Sequence, residues 1–359
     1  MSGQIKIATN MASSKYIDTG KTVSEELANF TLGLSLSDIP DEVVQHALLC
    51  ISDAIGIAFA SHGYPFADKG IKASTNLGSY GEGLVIGYDK TFDYRDAALV
   101  NGLLIHGLDY DDTHSQSVIH ATSSSLPTVI AGAQIWDATP SELLLAYIIG
   151  VETSARIGLI SGGKFQQAGF HPTGLIGTFG STLAASKIAK LSIPQIVSAQ
   201  GIALSMASGS MQFLEDGSWT KRIHPGLAAQ SALNACSLAK EDFKGPFDAY
   251  SGRYGLFPLF LEQTDVNPTE ILTSLGETWE LLNVAIKPYP VCHYNHACMD
   301  AAVTCVNENQ IDPLDIFSIK LYLHSDQFDV VCRPEDKKKR PGSEYEAKFS
   351  IQYCVATSI

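Results

Sequence analysis

Apolar residues along this chain recur mostly three and four positions apart. Between 41 and 61 they fall at Val44, Leu48, Ile51, Ile55, Ala58 and Phe59, directly after Pro40 and with Asp41 and Glu42 in the first turn. That spacing predicts a long amphipathic helix. The same period marks helices near 93–108, 123–136, 140–158, 173–190, 194–208 and 224–240, divided by short Gly, Ser or Pro breaks. GLVIGY, at 83–88, is the exception in this part of the chain and reads as extended. From Thr173 onward, Gly174, Gly177, Ser181, Ala184 and Ala185 share nearly one helical face. Side chains so small let neighbouring backbones come close, so this helix is predicted to be central and buried.

After residue 265 the texture changes. VNPTEILTSLG reads as a short helix, WELLNVAIKPYPV as extended chain, and IFSIKLYLH alternates as a strand does. The fold class expected is mostly α, with a large all-helical domain over 1–265 and a smaller α+β lid over 266–359. The charged run EDKKKRPGSE at 335–344 reads as a solvated loop.

Composition narrows the function. At 359 residues the chain exceeds what one hydrophobic core usually holds, and 45% hydrophobic against 17% charged residues leaves more apolar surface than a small monomer hides. A homo-oligomer is therefore expected. With 38 acids against 24 bases the net charge is −14, a field that repels nucleic acid and anionic membrane surfaces. Seven scattered cysteines suit reduced thiols in a cytoplasmic setting. The first 21 residues show neither an apolar leader core nor an arginine. The apolar stretch ELLLAYIIGVETSARIGLI is broken by Glu152 and Arg156, too soon for a bilayer span.

Against that acidic background, four stretches concentrate chemistry. HGLDYDDTHSQSVIH, at 106–120, packs Asp109, Asp111 and Asp112 with three histidines at the end of a predicted helix. Such a set can do acid–base work or bind a divalent ion. GFHPTG sets His171 before Pro172 at a helix start, where free backbone amides favour an anion. TKRIHPG brings Lys221, Arg222 and His224 to another helix start, where cations oppose the dipole unless an anion relieves them. KPYPVCHYNHACMDAA adds Lys287, His293 and His296. Its His-x-x-His spacing lacks the paired Cys-x-x-Cys of strong zinc signatures, so the lysine and histidines read as a second anchor for the same anion.

These stretches, with GFHPTGLIGTFGSTLAASKIAKLS, TKRIHPGLAAQSALNA and AKFSIQY, stand in an order that resembles the MmgE/PrpD family from about residue 22 onward. The resemblance implies a helical domain with an α+β lid, a homodimer, and an active site between the domains that uses neither metal nor organic cofactor. Asp109, His120, His171, Lys221 and Lys287 are carried over as catalytic residues. Thr113, Arg222, His224 and His293 are carried over as residues binding the substrate, and no residue is assigned to a metal. His120 is placed by the SSSLP that follows it. Some members have a tyrosine just before the RP of the lid, where this chain has Val330 and Val331. Relatives also continue past AKFSIQYCVA, so the lid is expected to fall short of a complete sheet and to expose an edge.

The activity implied is a lyase acting on a small di- or tricarboxylate by proton transfer beside a carboxylate. A hydro-lyase like 2-methylcitrate dehydratase comes first, with decarboxylation of the cis-aconitate type or epimerisation of the iminodisuccinate type as alternatives. Two other readings remain from the residues themselves: an Asp109–Asp111–Asp112 metal enzyme, and an inactive dimerising remnant. The compartment expected is the cytoplasm, with the mitochondrial matrix as alternative.

Overall fold

In the computed structural model, residues 20–261 and 266–359 are described. The first part is helical, as the periodicity predicts: α1 (Val23–Gly33), α2 (Asp41–Ser61), α3 (Pro65–Asn76), α4 (Tyr94–His106), α5 (Thr122–Ile135), α6 (Pro140–Ser161), α7 (Lys164–Gln167), α8 (Pro172–Ile188), α9 (Ile193–Leu204), α10 (His224–Lys240) and α11 (Leu256–Phe260). Helix starts follow local chemistry. Thr139 accepts from the Glu142 amide while Glu142 reaches back to the Thr139 amide at 2.8 Å, and Pro140 takes the first turn of α6.

α8 lies in the middle of the bundle against α5, α6, α9 and α10. Its small face does the work expected of it: Gly177 meets Ser124, and Gly180 meets Ser154 and the Gly150 carbonyl, with no space for a Cβ. A closer approach joins α4 to α10, where a Cβ on Gly102 would run into the Gly226 backbone and one on Gly226 into that of Leu99. This crossing sets the C-terminal end of α4 beside the N-terminal end of α10.

Glu152 and Arg156, the charges that interrupt the apolar run of α6, pair with each other at 2.6 Å inside the bundle. Arg156 also donates to the carbonyls of Thr273 and Thr278, at 2.6 and 2.7 Å, and Glu152 accepts from the Leu281 amide at 2.9 Å. The pair thereby straps residues 271–281 onto the helices. Beyond the strap, β2 (Val284–Ala285) pairs antiparallel with β1 (Thr113–His114), Thr113 opposite Ala285.

The remaining helices are α12 (His296–Asn309), α13 (Phe328–Val331), α14 (Glu335–Lys339), α15 (Glu344–Ala347) and α16 (Ile351–Ser358). α12, α13, α15 and α16 share a second, smaller core of Met299, Val330, Val331, Tyr345, Phe349, Ile351, Cys354 and Val355, into which the helical part inserts Phe213. The boundary expected at 265/266 abuts residues 262–265, which lie outside those described, as do residues 1–19.

Three local expectations fail. GLVIGY forms only a bridge between Gly83 and Phe92, because the Asn101 side chain takes the Ile86 amide and the Leu84 carbonyl, each at 2.8 Å, where a strand would have stood. IFSIKLYLH builds no ladder: no strand lies beside it among the described residues, and Phe317 and Tyr322 are fully or largely exposed. EDKKKRPGSE is not a loop throughout, since α14 buries Lys338, whose Nζ donates to the Val330 and Phe349 carbonyls at 2.8 Å each.

The glycine crossing makes a prediction. Gly226→Val should lower stability by about 1–3 kcal/mol through overpacking, read as a lower Tm by circular dichroism. Gly33→Ala, at a position with open space around it, should stay within about 0.5 kcal/mol of wild type.

Candidate active site

The turn that ends α4 carries the central carboxylate. Asp109 adopts a left-handed φ of 53°, held by its amide on the His106 carbonyl at 3.1 Å. Its carboxylate receives Lys221 on Oδ1, and Lys287 stands 3.7 Å from Oδ2 while donating to the Asp109 carbonyl at 2.8 Å. All three side chains are buried. Burial opposes ionisation of Asp109, yet Lys221, Lys287 and the nearby histidines hold the carboxyl well below the ordinary range.

Around this group lies a cluster of imidazoles. His106 meets Asp111 at 2.7 Å, and its ring stands 4.9 Å from that of His120 and 5.5 Å from that of His171. His120 Nδ1 is 2.8 Å from the Asp112 carbonyl. A carbonyl only accepts, so Nδ1 carries the proton and Nε2 holds the lone pair. His171 and His224 face each other through their Nδ1 atoms at 3.0 Å, a contact that needs a proton on one of the two. Burial is the leading reason that His120 and His171 fall well below the usual histidine range, with the charge of Lys221 adding to it in both. Asp112, which accepts from the Thr122 hydroxyl, is pushed up to about 7 by burial and then by Asp111.

The cleft in front of these groups contains about 540 Å³ of empty space, open solvent at its mouth included. Asp109, Thr113, His120, His171 and Lys221 form one side, and Val118, Met211, Phe213, Val330 and Phe349 give the rest an apolar character. Two polar contacts join its rims: Ser115 to His293 Nε2 at 3.0 Å, and the Tyr294 hydroxyl donating to Gln166 at 2.8 Å.

Two family patterns match most of the chain. The MmgE/PrpD N-terminal domain matches residues 25–269 and the MmgE/PrpD C-terminal domain residues 289–359. The chain belongs to the MmgE/PrpD family. Among curated proteins it is similar to the cis-aconitate decarboxylase-like protein oryM of Aspergillus oryzae, 29% identical over 290 residues, which is 77% of this chain and 58% of that protein. The cis-aconitate decarboxylase of Aspergillus terreus is 28% identical over 78% of this chain and 59% of its own length. The mouse cis-aconitate decarboxylase is 29% identical over 94% of this chain and 70% of its own length. The chain thus spans somewhat over half the length of the Aspergillus relatives.

Measured against the residues expected for an MmgE/PrpD protein, Asp109, Thr113, His120, His171, Lys221 and His293 line the cleft. Lys287 and His224 sit one layer behind, on Asp109 and His171. Arg222 turns away and lies between the rings of Phe66 and Tyr345. The three aspartates do not converge as a metal cage would require, because Asp109 goes to lysines, Asp111 to His106 and Asp112 to Thr122. His106, Asp111 and His120 do offer three donor atoms within 4.8 Å of one another, two of those residues being hydrogen-bonded together. Val330 occupies the cleft wall, so this side is apolar where some members place a phenol. Sequence reasoning missed Ser115, Gln166, Tyr294, Phe349 and Lys348, a further buried cation whose Nζ donates to the Pro290 carbonyl at 2.8 Å. The AKFSIQY motif was the available signal for the last two.

The neutral histidines predict a pH response. His224 falls to about 4 from 6.5, first by burial and then through His106 and Lys221. The unfolded chain takes up that proton near 6.5, so stability contributed above about 6.5 is lost as pH falls toward about 4. The expected result is a Tm that declines across that window, with a shallower decline in His224→Asn. An identical slope in the variant would count against a neutral His224.

Proposed function

We propose that this protein is a lyase that acts on a small di- or tricarboxylate by moving a proton beside a carboxylate, with its own side chains as acid, base and anion anchor. The single observation that carries the reading is the buried Lys221–Asp109–Lys287 group at a cleft lined by His120 and His171. Two ammoniums meet one carboxylate there, while the second ionised carboxylate, Asp111, lies on His106, so Lys221 at the cleft can meet an anion and stabilise the charge that develops when a bond beside a carboxylate breaks. His120, with Nε2 unprotonated and its charged form disfavoured by burial, is the base or the proton carrier. The His171–His224 pair, neutral at rest, takes up a proton from His120 or from solvent and passes it to carbon or to a leaving hydroxyl. His106 and Asp111 orient the cluster, and residues 266–359 form the lid that closes it.

Dehydration of the 2-methylcitrate type and decarboxylation of the cis-aconitate type both fit this arrangement. In the first, a proton leaves carbon and hydroxide leaves as water. In the second, the carboxylate departs as carbon dioxide, its electron pair stays on carbon, and a proton taken up from solvent and relayed through a histidine completes the new C–H bond. The relatives are named for the second, which supports cis-aconitate as the first substrate to test. Epimerisation needs the same proton removed from one face and returned to the other.

A homodimer belongs to the same reading. Support comes from α2, whose Leu48, Leu49 and Phe59 remain 44%, 58% and 58% exposed on the outside of the bundle. For a −14 chain, a face poor in acids is the one that opposes self-association least. Sedimentation is expected to give a dimer that Leu49→Glu/Phe59→Glu disperses. Unpaired thiols at all seven cysteines support a reducing compartment such as the cytoplasm.

Incubation with cis-aconitate, 2-methylcitrate, citrate and iminodisuccinate, followed by product NMR, tests the activity. Turnover of one acid is expected, unchanged by EDTA, and reduced in kcat/KM by about 10² or more in Lys221→Ala. Turnover of none, or wild-type kinetics in that variant, would overturn the reading.

A further inference from the structure

The short turn Trp219–Ile223 sets two cations side by side and sends them in opposite directions. Lys221 goes to Asp109, whereas Arg222 is buried away from the cleft, with no carboxylate in ion-pair contact among the described residues and no hydrogen-bond partner for its Nε. Leaving a charged group in that state costs free energy unless something else holds it. Aromatic rings do. The guanidinium carbon stands 4.2 Å from the centre of the Phe66 ring on α3 and 3.9 Å from that of Tyr345 on α15.

Each ring leads back to the site. On the inner side, Gly107 lies so close to Phe66 that a Cβ would run into the ring, and Asp109 follows two residues later. On the outer side, Tyr345 meets Phe349 edge-on at 5.4 Å, and Phe349 lines the cleft with Lys221 Nζ 5.2 Å from its centre. A closed circuit results, running Asp109, Gly107, Phe66, Arg222, Tyr345, Phe349, Lys221 and back to Asp109. Arg222 is the layer where the helical body and the lid meet. A guanidinium suits that place because it is flat, weakly hydrated and able to stack on both faces, while an ammonium is none of these.

We propose that Arg222 is a positioning residue that fastens the lid to the helical body between Phe66 and Tyr345 and so keeps Phe349 and Lys221 in place at the cleft. The fastening is a matter of structure alone, and its catalytic consequence rests on the lyase reading above. Without it the cleft is fully assembled in only a fraction of molecules, which raises the apparent KM while substrate still closes the lid at saturation.

Hydrogen–deuterium exchange on the full chain without ligand tests the fastening. Arg222→Lys in the body and Tyr345→Leu in the lid are each expected to speed exchange over residues 343–350 by about tenfold or more, with α6 and α8 unchanged. Tyr345→Phe, which keeps the stacked ring, should stay close to wild type and well short of Tyr345→Leu. Kinetics on whichever acid the wild type turns over should then show KM raised about tenfold in Arg222→Lys and Tyr345→Leu, with kcat nearly kept, and both values restored in Tyr345→Phe. Unchanged exchange over 343–350 in both disrupting variants would overturn the proposal. So would a Tyr345→Phe lid as loose as that of Tyr345→Leu. The exchange result is readable even if none of the acids is consumed, so the failure of the lyase reading and the failure of this one are told apart.

Discussion

A carboxylate buried between two buried ammoniums is the constraint around which this molecule is arranged. Asp109, Lys221 and Lys287 come from three places: the turn after α4, the turn before α10, and the segment beyond β2. None of the three charges is tolerable alone at that depth, and removing one partner of such a group typically costs about 3–5 kcal/mol. The surrounding packing therefore serves to deliver all three together. Gly102 against Gly226 brings the two helix ends into reach, the β1–β2 pairing aligns the third segment, and the Glu152–Arg156 strap holds what precedes it.

Burial then divides the basic side chains into two kinds. The lysines have Asp109 close by and carry the charge of the site. Of the imidazoles, His106 has Asp111, His120 the Asp112 carbonyl, and His171 and His224 each other, and desolvation favours the neutral forms. In the lyase reading proposed for it, a pocket of this composition attracts an anion through one set of groups and handles protons through the other. Where protonation of the histidines themselves supplied the positive charge, binding an anion would consume the base.

Much of this was legible along the chain. Helical periodicity located α2, α4, α5, α6, α8, α9 and α10 because each must bury one stripe, and small residues at a regular interval marked α8 as central. Cations at a helix start pointed to Lys221 because such placement runs against the helix dipole and calls for a counter-charge, and the free amides at the helix start after His171 pointed to His171. What sequence could not resolve was direction. Lys221 and Arg222 are neighbours of like charge, and only the tertiary surroundings turn one toward a carboxylate and the other between two rings. Lys338 sits in a run of charges that looks solvated, yet the Val330 and Phe349 carbonyls draw it inward. GLVIGY has the alternation of a strand, but the Asn101 amide takes the backbone groups a neighbouring strand would need. Alternation proposes an extended segment; a partner has to confirm it.

The paired charges of α6 carry a consequence for how this sequence can change over time. Losing Glu152 would strand a guanidinium in the interior, and losing Arg156 would leave a carboxylate without its partner. Exchanging both at once for well-packed apolar residues can be neutral or favourable for an isolated pair, but here it would also release the backbone segment they bind. Lineages that drift one substitution at a time must cross an unstable intermediate to leave this arrangement. The two positions are therefore expected to persist or to disappear together.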